Sequence, residues 1–122
     1  MVVKEDNIIA EKTKMFAIRI IRLYQHLNKN NKGAIEVLFR QLLRCGTSIG
    51  ANVHEALRTQ SKKDFESKLN IALKEASETN YWLEIFTETG YLTKDEYTSI
   101  DSDCIEIIKI LTAILNTSKK DK

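Results

Sequence analysis

The chain has 122 residues, of which 43% are hydrophobic, 30% are charged and none is proline. This composition is usual for globular proteins and excludes collagen, long disordered tails and disulfide-rich miniproteins. About 120 residues bury roughly two thirds of the surface that the unfolded chain exposes, which predicts a single domain over residues 1–122 with its own core.

The net charge of +2 hides an uneven distribution. Residues 1–60 hold ten Lys and Arg against five Asp and Glu, whereas residues 61–122 hold nine against twelve. The two halves therefore carry +5 and −3, which predicts a basic side able to attract polyanions. Apolar runs are too short for a membrane span and the first residues are charged, so we expect a cytoplasmic protein with no membrane partner.

Apolar residues spaced by three and four predict four amphipathic helices and no strand. Short connections between them favour antiparallel neighbours, so the predicted fold is all-α, an up-down-up-down antiparallel four-helix bundle. The helices are expected near residues 6–28, 33–59, 62–88 and 94–117.

Residues typical of helix ends mark the breaks between the predicted helices. The first falls in the polar stretch 28–33, which ends in a glycine. The pairs Ser61/Asp64 and Thr93/Glu96 have capping-box spacing and predict the third and fourth helix starts. Only the break at Thr59 lacks glycine, so one helix continuing through that point is the alternative.

The second predicted helix carries two apolar stripes side by side. On it, Gly46 and Gly50 lie one turn apart and predict that another helix approaches closely. Asn52 falls on the stripe assigned to the core, where a polar side chain needs hydrogen-bond partners. We therefore expect a structural polar cluster of Asn52, Ser48 and Glu55. The stripe assigned to the core contains Ile35, Leu38, Leu42, Cys45, Ile49, Asn52 and Ala56, and the second contains Phe39, Leu43, Gly46, Gly50, Val53 and Leu57.

Several large apolar residues lie off every predicted core stripe. Aligned groups of this kind, including the only tryptophan, are typical of surfaces that another subunit covers. We therefore predict a homo-oligomer. The interface candidates are Ile8, Met15 and Ile18 on the first helix, and Ile71, Trp82 and Ile85 on the third.

Basic residues also align at helical spacing and suggest nucleic-acid contact. No aromatic residue is interleaved with them, so contact with phosphates is favoured over base stacking. The alternative is an ordinary solvated face partly neutralised by Glu36 and Glu55. The stripes are Arg40, Arg44, His54 and Arg58 on the second helix, and Lys12, Arg19, Arg22 and His26 on the first.

No pattern of catalytic or metal-binding residues is present. Cys45 and Cys104 form no CxxC motif, and neither histidine has a glutamate three residues before it, as di-iron bundles require. We predict that the protein is not an enzyme and uses no cofactor or metal.

Several segments together resemble a bacterial family of four-helix-bundle proteins encoded by intervening sequences of 23S rRNA genes. The likeness covers about residues 8–116. Two positions depart from the family pattern, which has proline at the position of Gly50 and glycine at that of Ala56. The segments that carry the resemblance are Arg40–Arg44, Thr47–Glu55, Ser61–Phe65, Ile71–Leu73 and Thr89–Leu92.

The resemblance implies a bundle that assembles into a ring, a homopentamer without enzymatic activity. It also implies kinship with the accessory protein of diversity-generating retroelements, a pentameric barrel that binds nucleic acid and a reverse transcriptase. Because the family is basic around the shared motifs, the resemblance implies five candidate phosphate contacts. Arg19 and Arg22, from the basic stripe of the first helix, are two further candidates. These five are Arg40, Arg44, Arg58, Lys62 and Lys63.

Two functions are compatible with these features. The first is a non-enzymatic oligomer that binds the phosphate backbone of RNA or DNA through its basic helix faces. The alternative is a protein-interaction scaffold or accessory subunit that binds a protein partner and no nucleic acid. A net charge of +2 is small for a dedicated nucleic-acid binder, so both stay open.

Overall fold

The structure is a computed structural model and describes residues 4–120. It contains four helices, α1 (Lys4–Asn30), α2 (Glu36–Ala56), α3 (Lys62–Glu88) and α4 (Lys94–Lys120), and no strand within those residues. Each helix contacts the next one along the chain, and α1 also contacts α4; across the described range the diagonal pairs are not neighbours. The helices form a four-helix bundle. None of them is long and apolar enough to cross a membrane within residues 4–120.

Local side-chain chemistry explains where α3 and α4 begin. Ser61 has an extended backbone, and its hydroxyl accepts a hydrogen bond from the Asp64 amide at 3.2 Å. At the start of α4, Thr93 accepts from the Glu96 amide at 3.1 Å while the Glu96 carboxylate accepts from the Thr93 amide at 2.8 Å. These bonds satisfy amides that a helix start leaves without partners.

The second helix is shorter than the expected range 33–59. Gly33 has a φ of 109°, which helical backbone does not allow, so α2 starts at Glu36. At its other end, Leu57 and Arg58 close the last turn through their amides, and the chain then becomes extended at Ser61. The break therefore forms without a glycine, and no continuous helix runs across Thr59.

The core follows a different line along α2 from the one that the sequence suggested. Phe39 and Val53, assigned to the second stripe, are fully buried, whereas Leu38 is 37% exposed. Phe39 packs edge-to-face on Phe86 of α3, with ring centroids 5.1 Å apart. The helix is thus rotated toward its second stripe. The buried residues of α2 are Phe39, Leu42, Cys45, Gly46, Ile49, Val53 and Ala56.

The two glycines of α2 explain this rotation. A Cβ at Gly46 would lie 2.8 Å from two carbons of the Ile20 side chain, and one at Gly50 would lie 3.1 Å from the Thr13 carbonyl oxygen. Both distances are shorter than ordinary contacts. The missing side chains therefore let α1 approach α2 closely, as the spacing of the glycines predicts.

Candidate nucleic-acid interface

The basic residues of α2 are all exposed, but two of them are already paired with carboxylates. Arg40 donates from Nε to Glu36 at 2.6 Å, and the same carboxylate oxygen accepts from the Tyr24 hydroxyl at 2.5 Å. These two hydrogen bonds, the one from Tyr24 foremost, lower the pKa of Glu36. Arg44 approaches Glu75 and Glu78 of α3, at 3.6 and 3.4 Å. Both guanidinium charges are therefore offset within the chain.

Arg58 forms the less neutralised end of this stripe, close in sequence to the start of α3. The Arg58 guanidinium lies 3.1 Å from Nδ1 of His54 and donates to the His54 carbonyl at 3.3 Å. It has no carboxylate partner among the described side chains. Lys62 and Lys63 follow after one short connection and are exposed.

The basic stripe of α1 likewise contains both side chains that pair with carboxylates and side chains that do not. Arg19 donates to Asp103 of α4 at 2.7 Å and to both Ser99 oxygens, and Lys12 pairs with Glu106 at 3.1 Å. These two side chains are half-buried in the contact between α1 and α4. Arg22 is exposed and pairs with no carboxylate whose side chain the structure describes.

A groove of about 560 Å³ runs between α1 and α2 on the outside of the bundle. Its floor is made of small residues, because Gly50 brings the two helices close together. Lys14 and Arg58 lie on its rim, and Lys14, like Arg58, pairs with no described carboxylate. Glu11 is the acidic residue of the lining. The lining comprises Asn7, Ala10, Glu11, Lys14, Ala17, Thr47, Gly50, Ala51, His54, Leu57 and Arg58.

The expected polar cluster forms only in part, because Asn52 contacts Ser48 while Glu55 lies apart from them. Asn52 is only half-buried, and its amide donates to the Ser48 carbonyl at 2.9 Å and hydroxyl at 3.0 Å. Glu55 is exposed and pairs with Lys68 of α3 at 2.7 Å, which lowers the pKa of Glu55. The cause is the rotation of α2, which turns Val53 into the core and leaves Asn52 half-buried.

The candidate interface residues have different surroundings on α1 and α3. Ile8, Met15 and Ile18 are exposed on α1, and Ile71 is exposed on α3. Trp82 and Ile85 instead are half-buried against the core, so placing them wholly off the core was wrong. Trp82 stacks on Phe86 with ring centroids 5.7 Å apart, and this contact holds it inward.

Sequence reasoning missed part of the exposed apolar surface and most of the ion pairs. Val37 is 61% exposed and Tyr81 is 55% exposed, although neither was assigned to a surface patch. The pair of Glu36 with Arg40 has the i, i+4 spacing that signals helix ion pairs. The carboxylates that pair with Arg19 and Arg44 belong to other helices, so no pattern in the neighbouring sequence predicts these ion pairs.

The two cysteines belong to the core. Burial raises the pKa of Cys45 to about 11 and that of Cys104 to about 12. Both thiols are therefore protonated at neutral pH, and Cys104 donates to the Ala76 carbonyl at 3.3 Å. Within residues 4–120, no group of three or more His, Cys, Asp or Glu side chains is placed to hold a metal ion.

Comparison with known proteins finds a matching protein family and matching solved structures. A family model described as "23S rRNA-intervening sequence protein" matches residues 5–113. A crystal structure from Bacteroides thetaiotaomicron, described as a protein of unknown function from the S23 ribosomal protein family, is 49% identical in sequence. The match covers 92% of this chain and 98% of that one, with a TM-score of 0.86. No curated protein matches by sequence.

Proposed function

The chain belongs to the 23S rRNA-intervening sequence protein family. We propose that it is a non-enzymatic, oligomeric bundle protein that binds RNA or DNA phosphates. The observation that best supports this function is the groove between α1 and α2. Its rim carries Lys14 and Arg58, two cations with no described carboxylate partner. Its small-residue floor lets a phosphate backbone come close to both side chains.

The chemistry of the groove favours contact with the sugar-phosphate backbone of a nucleic acid over recognition of its bases. Its lining contains no Phe, Tyr or Trp side chain, which are the usual platforms for a stacked base. Lys14 and Arg58 act as cations that replace counterions around phosphates, a contact that every nucleotide offers. Binding is therefore weak for each chain, tolerant of sequence and strongly dependent on salt.

The candidate contacts do not contribute equally in this proposal. Arg58, Arg22 and Lys63 are exposed and have no described carboxylate partner. The remaining arginines must exchange a carboxylate for a phosphate, so they are secondary contacts. These are Arg19, Arg40 and Arg44.

The proposed architecture is an up-down-up-down antiparallel bundle that assembles into a ring, with the homopentamer as the expected size. Contacts between helices support the antiparallel order, because residue numbers rise along one helix as they fall along its neighbour. Between α1 and α4, for example, Lys12 meets Glu106 and Arg19 meets Asp103. A ring repeats the groove once per chain, and repetition strengthens a weak site through avidity.

Fluorescence anisotropy with labelled single-stranded RNA and duplex DNA tests this function. The wild type should bind unrelated sequences about equally at about 50 mM salt, and binding should weaken steeply toward about 200 mM. Lys14→Ala/Arg58→Ala should lower affinity for all sequences alike. It should also flatten the slope of log affinity against log salt by about one unit for each phosphate that is no longer neutralised.

A matched variant separates a local site from net charge. Lys109→Ala/Lys119→Ala removes the same two positive charges from exposed positions on α4, a helix that does not contact α2. This control should bind nearly as well as the wild type. An equal fall in affinity in both double variants would show that only net charge matters and would reject the groove as the site.

The second candidate function is a protein-interaction scaffold. It is favoured by the exposed aromatic side chain of Tyr81, which packs edge-to-face on Trp82 of α3 and does not line the groove. If the wild type binds neither RNA nor DNA at about 50 mM salt, nucleic-acid binding fails and the scaffold becomes the better account.

A further inference from the structure

Two opposite sides of the bundle carry exposed apolar residues next to unbalanced charge. The first side is the α1/α4 face, defined here by Ile8, Met15, Ile18 and Arg22. Met15 is 56% exposed and lines a groove together with Asp103 and Glu106 of α4. This face therefore presents apolar side chains at the α1 edge, where α1 and α4 meet.

The second side is the α2/α3 face, defined by Val37, Arg44, Ile71, Glu78 and Trp82. The three α3 residues are spaced by seven and four and so share one side of that helix. Val37 and Arg44 are seven residues apart and share one side of α2 in the same way. Arg44 reaches Glu78, which joins the two helices into one surface.

The charges of the α2/α3 face are incompletely satisfied within one chain. The single guanidinium of Arg44 is shared by two carboxylates at long distances, 3.6 Å to Glu75 and 3.4 Å to Glu78. The second oxygen of Glu75 is buried and accepts no hydrogen bond. Two negative charges share one positive charge, so this face can accept one further cation.

The α1/α4 face offers such a cation. Arg22 follows Ile18 and Met15 at helical spacing and pairs with no described carboxylate. Asp95 and Glu96 line the same side of the bundle, but neither comes within 4 Å of the Arg22 guanidinium. The two faces are therefore complementary in both charge and apolar character.

We infer that the α1/α4 face of one copy packs against the α2/α3 face of the next copy. Met15 and Ile18 cover Ile71 and Trp82, and Arg22 pairs with Glu78, which is the more exposed of the two carboxylates. Arg44 then closes on Glu75. This inference rests on the oligomer of the proposed function and names the surfaces that form it.

The position of the two faces determines the kind of assembly. Helices α1 and α3 are diagonal in the bundle, so the α1/α4 and α2/α3 faces lie on opposite sides. Contact between unlike faces is head-to-tail and continues from copy to copy, which gives a ring when the rotation closes. The groove between α1 and α2 lies on a third side, and every copy presents it on the same wall of the ring.

Mixing two face variants tests the head-to-tail contact. Met15→Glu blocks the α1/α4 face and Ile71→Glu blocks the α2/α3 face, and both side chains are exposed in the single chain. Each variant alone should be monomeric by light scattering after size exclusion, with helicity retained in circular dichroism. An equimolar mixture at high concentration should form a dimer of twice the 14.0 kDa chain mass, because one intact face of each kind remains. Contact between like faces would instead leave one variant dimeric on its own.

A charge exchange tests the proposed ion pair. Arg22→Glu and Glu78→Arg should each shift the assembly toward monomer, and the double variant should restore the mass of the wild type. Lys119→Glu on α4 and Glu84→Arg on α3 are matched charge reversals at exposed positions outside both faces, and each should leave the mass unchanged.

The outcomes separate this inference from the proposed function. A monomeric wild type overturns both the oligomer and the interface. An oligomeric wild type that the face variants do not dissociate overturns the interface alone. An assembly that responds as expected but binds no RNA or DNA overturns nucleic-acid binding and supports the interface.

Discussion

Arg40 and Arg44 lie one turn apart on α2 but obtain their partners in different ways. Arg40 pairs with Glu36, four residues earlier in the same helix, and Tyr24 holds that carboxylate from α1. Arg44 depends entirely on α3 for its carboxylates. One stripe of similar residues therefore contains both a locally neutralised charge and a charge that ties two helices together.

The Glu36 site predicts a pH dependence at the residue scale. Hydrogen bonds from Tyr24 and Arg40 lower the folded-state pKa of Glu36 below its ordinary value of 4.5. The stabilisation is thus present above pH 4.5 and is lost as the pH falls through the lowered folded-state value. Glu36→Gln should reduce the acid sensitivity of the unfolding free energy, measured by urea titration between about pH 6 and pH 3.

A matched substitution controls for general loss of negative charge. Glu88→Gln removes an exposed carboxylate at the end of α3. Its acid sensitivity should stay close to that of the wild type. Equal changes in the two variants would contradict a specific role for the Tyr24, Glu36 and Arg40 contacts.

At the scale of elements, the contact between α1 and α2 sets the direction in which α2 faces. Gly46 sits directly over Ile20, and Gly50 sits over the backbone of Thr13. With α2 held in this position, Phe39 and Val53 turn into the core while Leu38 and Asn52 turn away from its centre. The same close approach gives the groove its small-residue floor.

Gly46→Ala should therefore destabilise the bundle even though alanine is the better helix former. The new Cβ would lie 2.8 Å from the buried Ile20 side chain, and overpacking of this kind costs about 1–3 kcal/mol against a gain of about 1 kcal/mol in helix propensity. Urea unfolding followed by circular dichroism measures the difference.

A double-mutant cycle identifies the clash. Ile20→Ala removes the side-chain carbons that the new Cβ would meet, so it should cost less in the Gly46→Ala background than in the wild type. Additive effects would place the destabilisation elsewhere than in this contact.

At the scale of the whole molecule, charge and apolar surface are distributed over different sides. The α1/α2 groove carries cations over small residues, whereas the α2/α3 face carries carboxylates among apolar side chains. This separation lets the proposed protein contact and the proposed phosphate contact occupy different surfaces. Assembly and nucleic-acid binding are therefore separable by mutation.

Assembly predicts a stability that depends on concentration. Because association stabilises only the folded chain, the Tm of the wild type should rise with protein concentration over the micromolar range. Differential scanning calorimetry at several concentrations measures this trend. Met15→Glu should have a Tm that is independent of concentration, whereas a wild-type Tm that does not change with concentration would contradict the oligomer.

Local sequence patterns predicted the four helices and the residues that begin two of them. Helix periodicity and capping depend on residues three or four positions apart. The helix starts at Ser61 and Thr93 and the core positions of α3 are therefore predictable from the sequence. The resemblance of residues 8–116 likewise indicated the family that the comparisons support.

Packing between helices sets the rotation of α2 and the pairing of the basic side chains, and neither follows from local sequence patterns. Two adjacent apolar stripes satisfy the same periodicity. With α1 packed closely on Gly46 and Gly50, residues of both stripes are buried, including Phe39 and Val53 of the second, while Leu38 of the first is exposed. The partners of Arg19 and Arg44 lie more than 30 residues away along the chain, so no local pattern reveals them. Helix rotation and pairing between helices depend on packing against neighbours, and a one-dimensional pattern does not contain that information.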